Sequence, residues 1–170
     1  MFRFVVLLSV AAVISGQSTP VNQCTHNSGP LPIHAYIEGC DSLPCDLPQL
    51  QDAVIHMIFR APETIHRMRT FATAILPPLP AFNYPLFSNG ETCNFLTNTY
   101  CPVVKGEVIQ YTLRMYIQPS FQVGVQPEIE FMINDHDRNK EITCIRVPLR
   151  IVEAVNSRTG ANNATVIGAA

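Results

Sequence analysis

Six cysteines are the side chains best placed by type and spacing to do chemistry, in the order Cys24-x15-Cys40-x4-Cys45-x47-Cys93-x7-Cys101-x42-Cys144. As thiolates they would ligate zinc; as pairs they would close disulfides. Their separations bear only a loose resemblance to zinc spacing. Cys40 and Cys45 flank Asp-Ser-Leu-Pro, and Cys93 and Cys101 flank seven residues, so each pair suits a local staple. Cys24 and Cys144 are then left to close one long loop. Six cysteines allow about fifteen pairings, so spacing alone leaves the others open. If the nested scheme holds, the outer bond restrains nearly the whole folded unit and contributes roughly 4–5 kcal/mol in the chain-entropy model. A domain braced this way can keep a loosely filled interior without unfolding.

Other reactive groups are sparse. Asp135-His136-Asp137 has the residue types of a metal or acid–base cluster, but it sits in the polar run Asn134–Lys140 and reads as a turn. His56 alternates with apolar neighbours and reads as a solvated or internally satisfied imidazole. Gly-x-Ser-x-Gly, His-Glu-x-x-His and phosphate-loop patterns are absent from the sequence. The expectation is a protein without catalytic residues, resident metal or cofactor.

Disulfides persist in oxidising compartments, and the N-terminus agrees. Arg3 precedes the apolar run Phe4–Ile14, which ends in Ser15 and Gly16. That is the anatomy of a cleaved secretory leader, expected to span residues 1–16, and it is short for a bilayer span. The expected setting is extracellular or the lysosomal lumen. About 154 residues would remain, enough for one domain with a core. The whole chain carries a formal charge of −2, and loss of Arg3 makes it one unit more negative. No clustered basic face suggests nucleic acid. Charged residues make up 14% of the chain, low for a secreted protein, and tryptophan is absent.

The elements that must position these groups are strands. Fourteen prolines argue against long helices. Ile109, Tyr111, Leu113, Met115 and Ile117 alternate with polar residues, as half-buried strands do. Val123 to Ile133 repeats the pattern, with Pro127 marking an edge or a bulge, and Ile145 to Ile151 repeats it again. These three runs read as an antiparallel meander. Ile55, Met57 and Phe59 form an earlier strand, and Phe71, Thr73 and Ile75 a weaker one. Short strands at this spacing favour a β-sandwich. The tail 156–170 is small, polar and aperiodic and is expected to be flexible; it holds the one acceptable glycosylation sequon, at Asn163.

Between Arg69 and Glu91 no acidic or basic residue occurs. Within that stretch, residues 75–87 carry four prolines and Ile75, Leu76, Leu79, Phe82, Tyr84, Leu86 and Phe87. The prolines confine it to loop or edge. A loop this apolar is expected to form a mouth or a contact surface.

Several short motifs resemble the ML lipid-recognition family. They are Asp41-Ser42-Leu43-Pro44-Cys45, Gly90-Glu91-Thr92-Cys93, Cys101-Pro102 with Lys105-Gly106, and Cys144 followed by Val147-Pro148-Leu149-Arg150-Ile151-Val152. The branch they are most similar to is that of the Niemann–Pick type C2-like sterol carriers, which includes many secreted arthropod members. The resemblance covers roughly 21–155, within a domain expected over 17–155. It implies an all-β, immunoglobulin-like sandwich of two antiparallel sheets with a hydrophobic cavity between them. It also implies the disulfides Cys24–Cys144, Cys40–Cys45 and Cys93–Cys101. Pro78-Leu79-Pro80-Ala81-Phe82 is similar to the segment that brings an aromatic to the pocket in sterol-carrying members, which implies that role for Phe82. Alignment from Cys101 implies pocket roles for Ile117 and Phe121. The chain departs from the family in a longer Phe82–Cys93 segment, in Pro77 where a glycine is usual, in Ile145 where an aromatic is usual, and in its C-terminal tail.

The inward faces of the strands add Phe59, Ile75, Tyr111, Phe131 and Val147 to the expected lining. No charged residue lies on the odd-numbered faces, which favours a neutral sterol-like or hydrocarbon-like guest over a fatty acid held by a buried base. The expected partner is a sterol, fatty acid or other small hydrophobic molecule, bound by a monomer, with transient membrane or receptor contact. The alternatives are an interaction module docking through the 75–87 loop, and a packed sandwich without a guest.

Overall fold

The computed structural model describes residues 16–154. The expected leader (apart from Gly16), the tail and Asn163 lie outside the described residues. Eight strands form: β1 (His34–Ile37), β2 (Cys45–Pro48), β3 (Asp52–Arg60), β4 (Met68–Ile75), β5 (Phe82–Tyr84), β6 (Val108–Tyr116), β7 (Glu128–Asp135) and β8 (Lys140–Val152). Two short 3-10 turns, Phe87–Gly90 and Thr92–Phe95, interrupt the β5–β6 connection. The strands build a three-stranded sheet, β1-β3-β6, and a five-stranded sheet, β2-β8-β7-β4-β5. Pairing is antiparallel throughout except at β2, which adds parallel to β8.

The expected three-strand meander is corrected here. β7 and β8 do form a hairpin across the polar turn, but β6 pairs with β3 in the other sheet. Pro119, Gly124 and Pro127 explain the switch: the proline rings and the positive φ of Gly124 prevent a continuous strand and carry the chain across the sandwich. Val125 stays outside β7 and instead accepts a hydrogen bond from the Ile151 amide.

All three disulfides form as the resemblance implies. They brace a core in which alternate residues of β3, β6, β7 and β8 meet between the sheets. An N-terminal strap, residues 19–30, lies over the outside. The Thr19 amide bonds Ala35 of β1, and Asn22 exchanges backbone hydrogen bonds with Arg146 of β8. Glu130 holds the next turn of this strap. Its carboxylate points away from the interior, is sealed from solvent, and accepts the amides of Thr25, His26 and Asn27. Burial pushes its pKa up, but those bonds outweigh burial and hold it down at about 2. Gly29 lets the strap lie close: its φ is +131°, and a Cβ there would stand 3.1 Å from the Thr143 backbone.

Candidate functional site

Of the residues expected to line the interior, Phe59, Tyr111, Ile117, Phe131 and Val147 meet between the sheets, each at most 2% exposed. Ile75 does not join them. In the β4–β7 register Ala72 lies opposite Phe131 and Ala74 opposite Ile129, so the inward face of β4 is its even-numbered one: Met68, Thr70, Ala72 and Ala74. Ile75 points outward beside Glu128. Thr70, Ala72 and Ala74 are too small or too polar to announce a buried face, whereas Phe71 and Ile75 on the other side mimic one.

Phe82 and Phe121 sit at the border of the interior. β5 is the edge of the larger sheet, and Phe82 pairs with Ala74, so its ring leans inward although it is 40% exposed. The Phe121 ring stacks on Phe82 at 6.5 Å and on Tyr84 at 5.5 Å between centroids. Tyr84 spans the gap between the sheets. Its phenol donates to the Tyr116 carbonyl at 2.7 Å and accepts from the Gln118 amide at 3.1 Å. Burial holds that phenol above its ordinary pKa, so it stays a neutral donor. The 117–121 segment is anchored in turn: Ile117 exchanges backbone bonds with Leu50 and Gln51, and Gln49 donates to the Phe121 carbonyl. In the sequence Tyr84 is one more apolar residue of its loop, and no local pattern marks this latch.

Met57, Met68 and Met115 lie in the interior alongside Phe59, Tyr111 and Phe131. Methionine is unbranched and soft, so it collapses into irregular space and yields it again with little penalty. The concavities described open at the surface. One of about 410 Å³ lies between β2 and the start of β3, with Ile117 in its wall. Another, of about 290 Å³, lies against Thr70, Ala72 and Tyr84, beyond the end of β5. Neither is lined by Phe59, Phe131 or Val147.

The interior holds no charge among the described residues. The two buried carboxylates lie elsewhere: Glu130 under the strap, and Asp135 in the β7–β8 turn, where it accepts the amides of Asp137 and Arg138. Asp135-His136-Asp137 is thus a turn, with Asp137 paired to Arg67. His56 lies on the outer face of the smaller sheet, its two nitrogens within hydrogen-bond reach of Glu38 and Thr112. Inside, one cluster of hydroxyls stands out. The Thr70 hydroxyl lies 2.7 Å from that of Thr92 and 2.8 Å from the Tyr111 phenol, tying β4, the second 3-10 turn and β6 together. Burial pushes the Tyr111 phenol up to about 12, against the opposing effect of the two threonines. No alternation or motif marks Thr70 or Thr92 as interior.

Residues 18–151 match the sequence model of the ML domain. The chain belongs to the ML-domain family. This is a lipid-recognition family and not one of enzymes. Comparison with curated protein sequences finds no match. Among solved structures, this ML domain is similar in fold to a Niemann–Pick type C2 protein from the Japanese carpenter ant. The TM-score is 0.66 at 18% identity, covering 78% of this chain and 98% of that one. Chicken MD-1 complexed with lipid IVa gives a TM-score of 0.44 at 12% identity, covering 68% of this chain and 79% of that one.

Proposed function

We propose that this ML-domain chain is a secreted or lumenal carrier that reversibly buries a sterol or other small hydrophobic molecule between its two sheets. The leader 1–16, the tail 156–170 and a glycan at Asn163 belong to that reading, as does a monomeric state. The observation that carries it is the pairing of an uncharged interior with a non-covalent seam, Phe82–Tyr84–Phe121, at its border. A fold shared with a Niemann–Pick type C2 protein supports the same reading. Entry requires Phe82 and Phe121 to part and the three methionines to repack. Each Å² of guest apolar surface then removed from water contributes roughly 25 cal/mol.

A second reading has its own observation. Leu79, Phe82 and Phe87 of the charge-free stretch are exposed, Phe87 at 75%. That surface suits transient contact with a membrane or receptor while the guest is handed over. Native mass spectrometry of the secreted protein tests the carrier reading. A bound lipid is expected, and displacement of a fluorescent sterol should change in Phe82→Ala and Phe121→Ala. Protein recovered without lipid that also fails to take up any added lipid would refute it.

A further inference from the structure

We propose that Thr70, Thr92 and Tyr111 form a hydrogen-bonding foot for the guest, so that the chain prefers lipids bearing a neutral oxygen, an alcohol or a ketone, and admits them oxygen-first. The proposal rests on the carrier reading and narrows its ligand class.

Three features point to it. The first is placement. Each of the three residues is at most 2% exposed, and their hydroxyls join the two sheets from within a mostly apolar interior. The second is the count of donors. Three hydroxyls bring three O–H groups, and the two short contacts between them consume two. One donor is left over, in a setting where an unmade hydrogen bond is costly. A guest oxygen accepting that hydrogen completes the set.

The third feature is the path. Phe82 at the seam stands level with Ala74, and the inward residues of β4 from there are Ala74, Ala72 and Thr70. The two methyl side chains are the smallest on the inward face of β4, and this lane runs about 13 Å at strand rise before it meets the hydroxyls. The 290 Å³ concavity borders the same stretch, through Thr70 and Ala72.

The chemistry excludes a carboxylate end. Tyr111 remains a neutral phenol at any physiological pH, and among the described residues no basic side chain is buried. A carboxylate driven to the foot would be an unpaired buried charge. A plain hydrocarbon fits the lane but leaves the third hydroxyl as it is.

The test is displacement of N-phenyl-1-naphthylamine from the purified full chain by hexadecan-1-ol, hexadecan-2-one, hexadecane and palmitate at pH 7. The alcohol and the ketone should compete about tenfold better than hexadecane, as one added hydrogen bond implies, and palmitate should compete less well than either. In Tyr111→Phe, and separately in Thr70→Val, the ratio of alcohol to alkane should fall toward one. Equal competition by alcohol, ketone and alkane in the unaltered protein would overturn the proposal and leave the carrier reading intact. So would a preference that survives both substitutions. Absence of binding by the probe and by all four lipids would remove the carrier reading, and this inference with it. Should a variant fail to fold, as its thermal melt would reveal, the four-lipid series on the unaltered protein decides alone.

Discussion

The two long edges of this sandwich are built differently. At one, the segment following β1 is bonded covalently to the first residue of β2 through Cys40–Cys45. The strap crosses the same edge, bonded to β1 at Thr19 and to β8 at Asn22, and is fixed again by Cys24–Cys144 and by Glu130. At the other edge, β5 meets the end of β6 and the segment after it through the Tyr84 phenol and its two hydrogen bonds, with the Phe121 ring stacked on those of Tyr84 and Phe82. A net hydrogen bond contributes about 1 kcal/mol and an aromatic pair about 0.5–1.5 kcal/mol. Separating the first edge requires breaking covalent bonds or unfolding the strap, whereas the Tyr84 seam at the second is held by contacts worth a few kcal/mol. On the carrier reading, the fold has a hinge side and a gate side, and a guest is expected to enter past Tyr84.

Substitutions can break the asymmetry from either side. The largest effect should come from the hinge: removing Cys24 and Cys144 together, as alanines, should cost about 4–5 kcal/mol, because their bond closes most of the chain. Chemical denaturation checks this, and a loss under 1 kcal/mol would mean that the strap is not a brace.

Glu130 comes next. Its folded pKa of about 2 lies below its ordinary 4.5, so its stabilisation is complete above pH 4.5 and is lost as pH falls toward 2. Glu130→Gln should cost about 3 kcal/mol at neutral pH by that linkage. It should also flatten the fall in stability between pH 4.5 and 2. Denaturation profiles of both proteins across that range measure it, and the hinge is expected to hold at the pH of an acidic organelle.

The smallest effect on stability belongs to the gate. Tyr84→Phe keeps the ring but removes the donor to Tyr116, and should cost about 1 kcal/mol. Its signature is kinetic: lipid exchange followed by stopped-flow fluorescence should speed up several-fold. An unchanged exchange rate would place the entrance elsewhere.

Much of the fold was legible before the structure, for reasons specific to each element. β3, β6 and β8 are long and half-buried, so period-2 alternation exposes them. β1, β2 and β5 have three or four residues each, too few for alternation to register. β4 was read on the wrong face, since its inward residues are Thr70, Ala72 and Ala74 and its outward ones include Phe71 and Ile75. The placement of β6 in the smaller sheet was hidden because pairing depends on where the 117–127 crossover travels, and alternation is silent on that. Within the site, Phe82 and Phe121 were named through the family resemblance, and their stacking is geometry that only the fold supplies. Thr70, Thr92 and Tyr84 went unread as site residues because a lone hydroxyl in an apolar or mixed run gives no sequence signal. Glu130 occupies an outward position, as its alternation suggested, yet the strap seals it; contacts from residues more than a hundred positions away are invisible in a local pattern.

Amide hydrogen exchange on the purified protein, with and without added hexadecan-1-ol, tests the gate most directly. Amides of Phe82–Tyr84 and Tyr116–Phe121 should exchange faster than those of Ala35–Ile37 and Cys45–Leu47 in the free protein, and should slow once lipid is bound. Equal protection at the two edges, unaltered by lipid, would contradict the account.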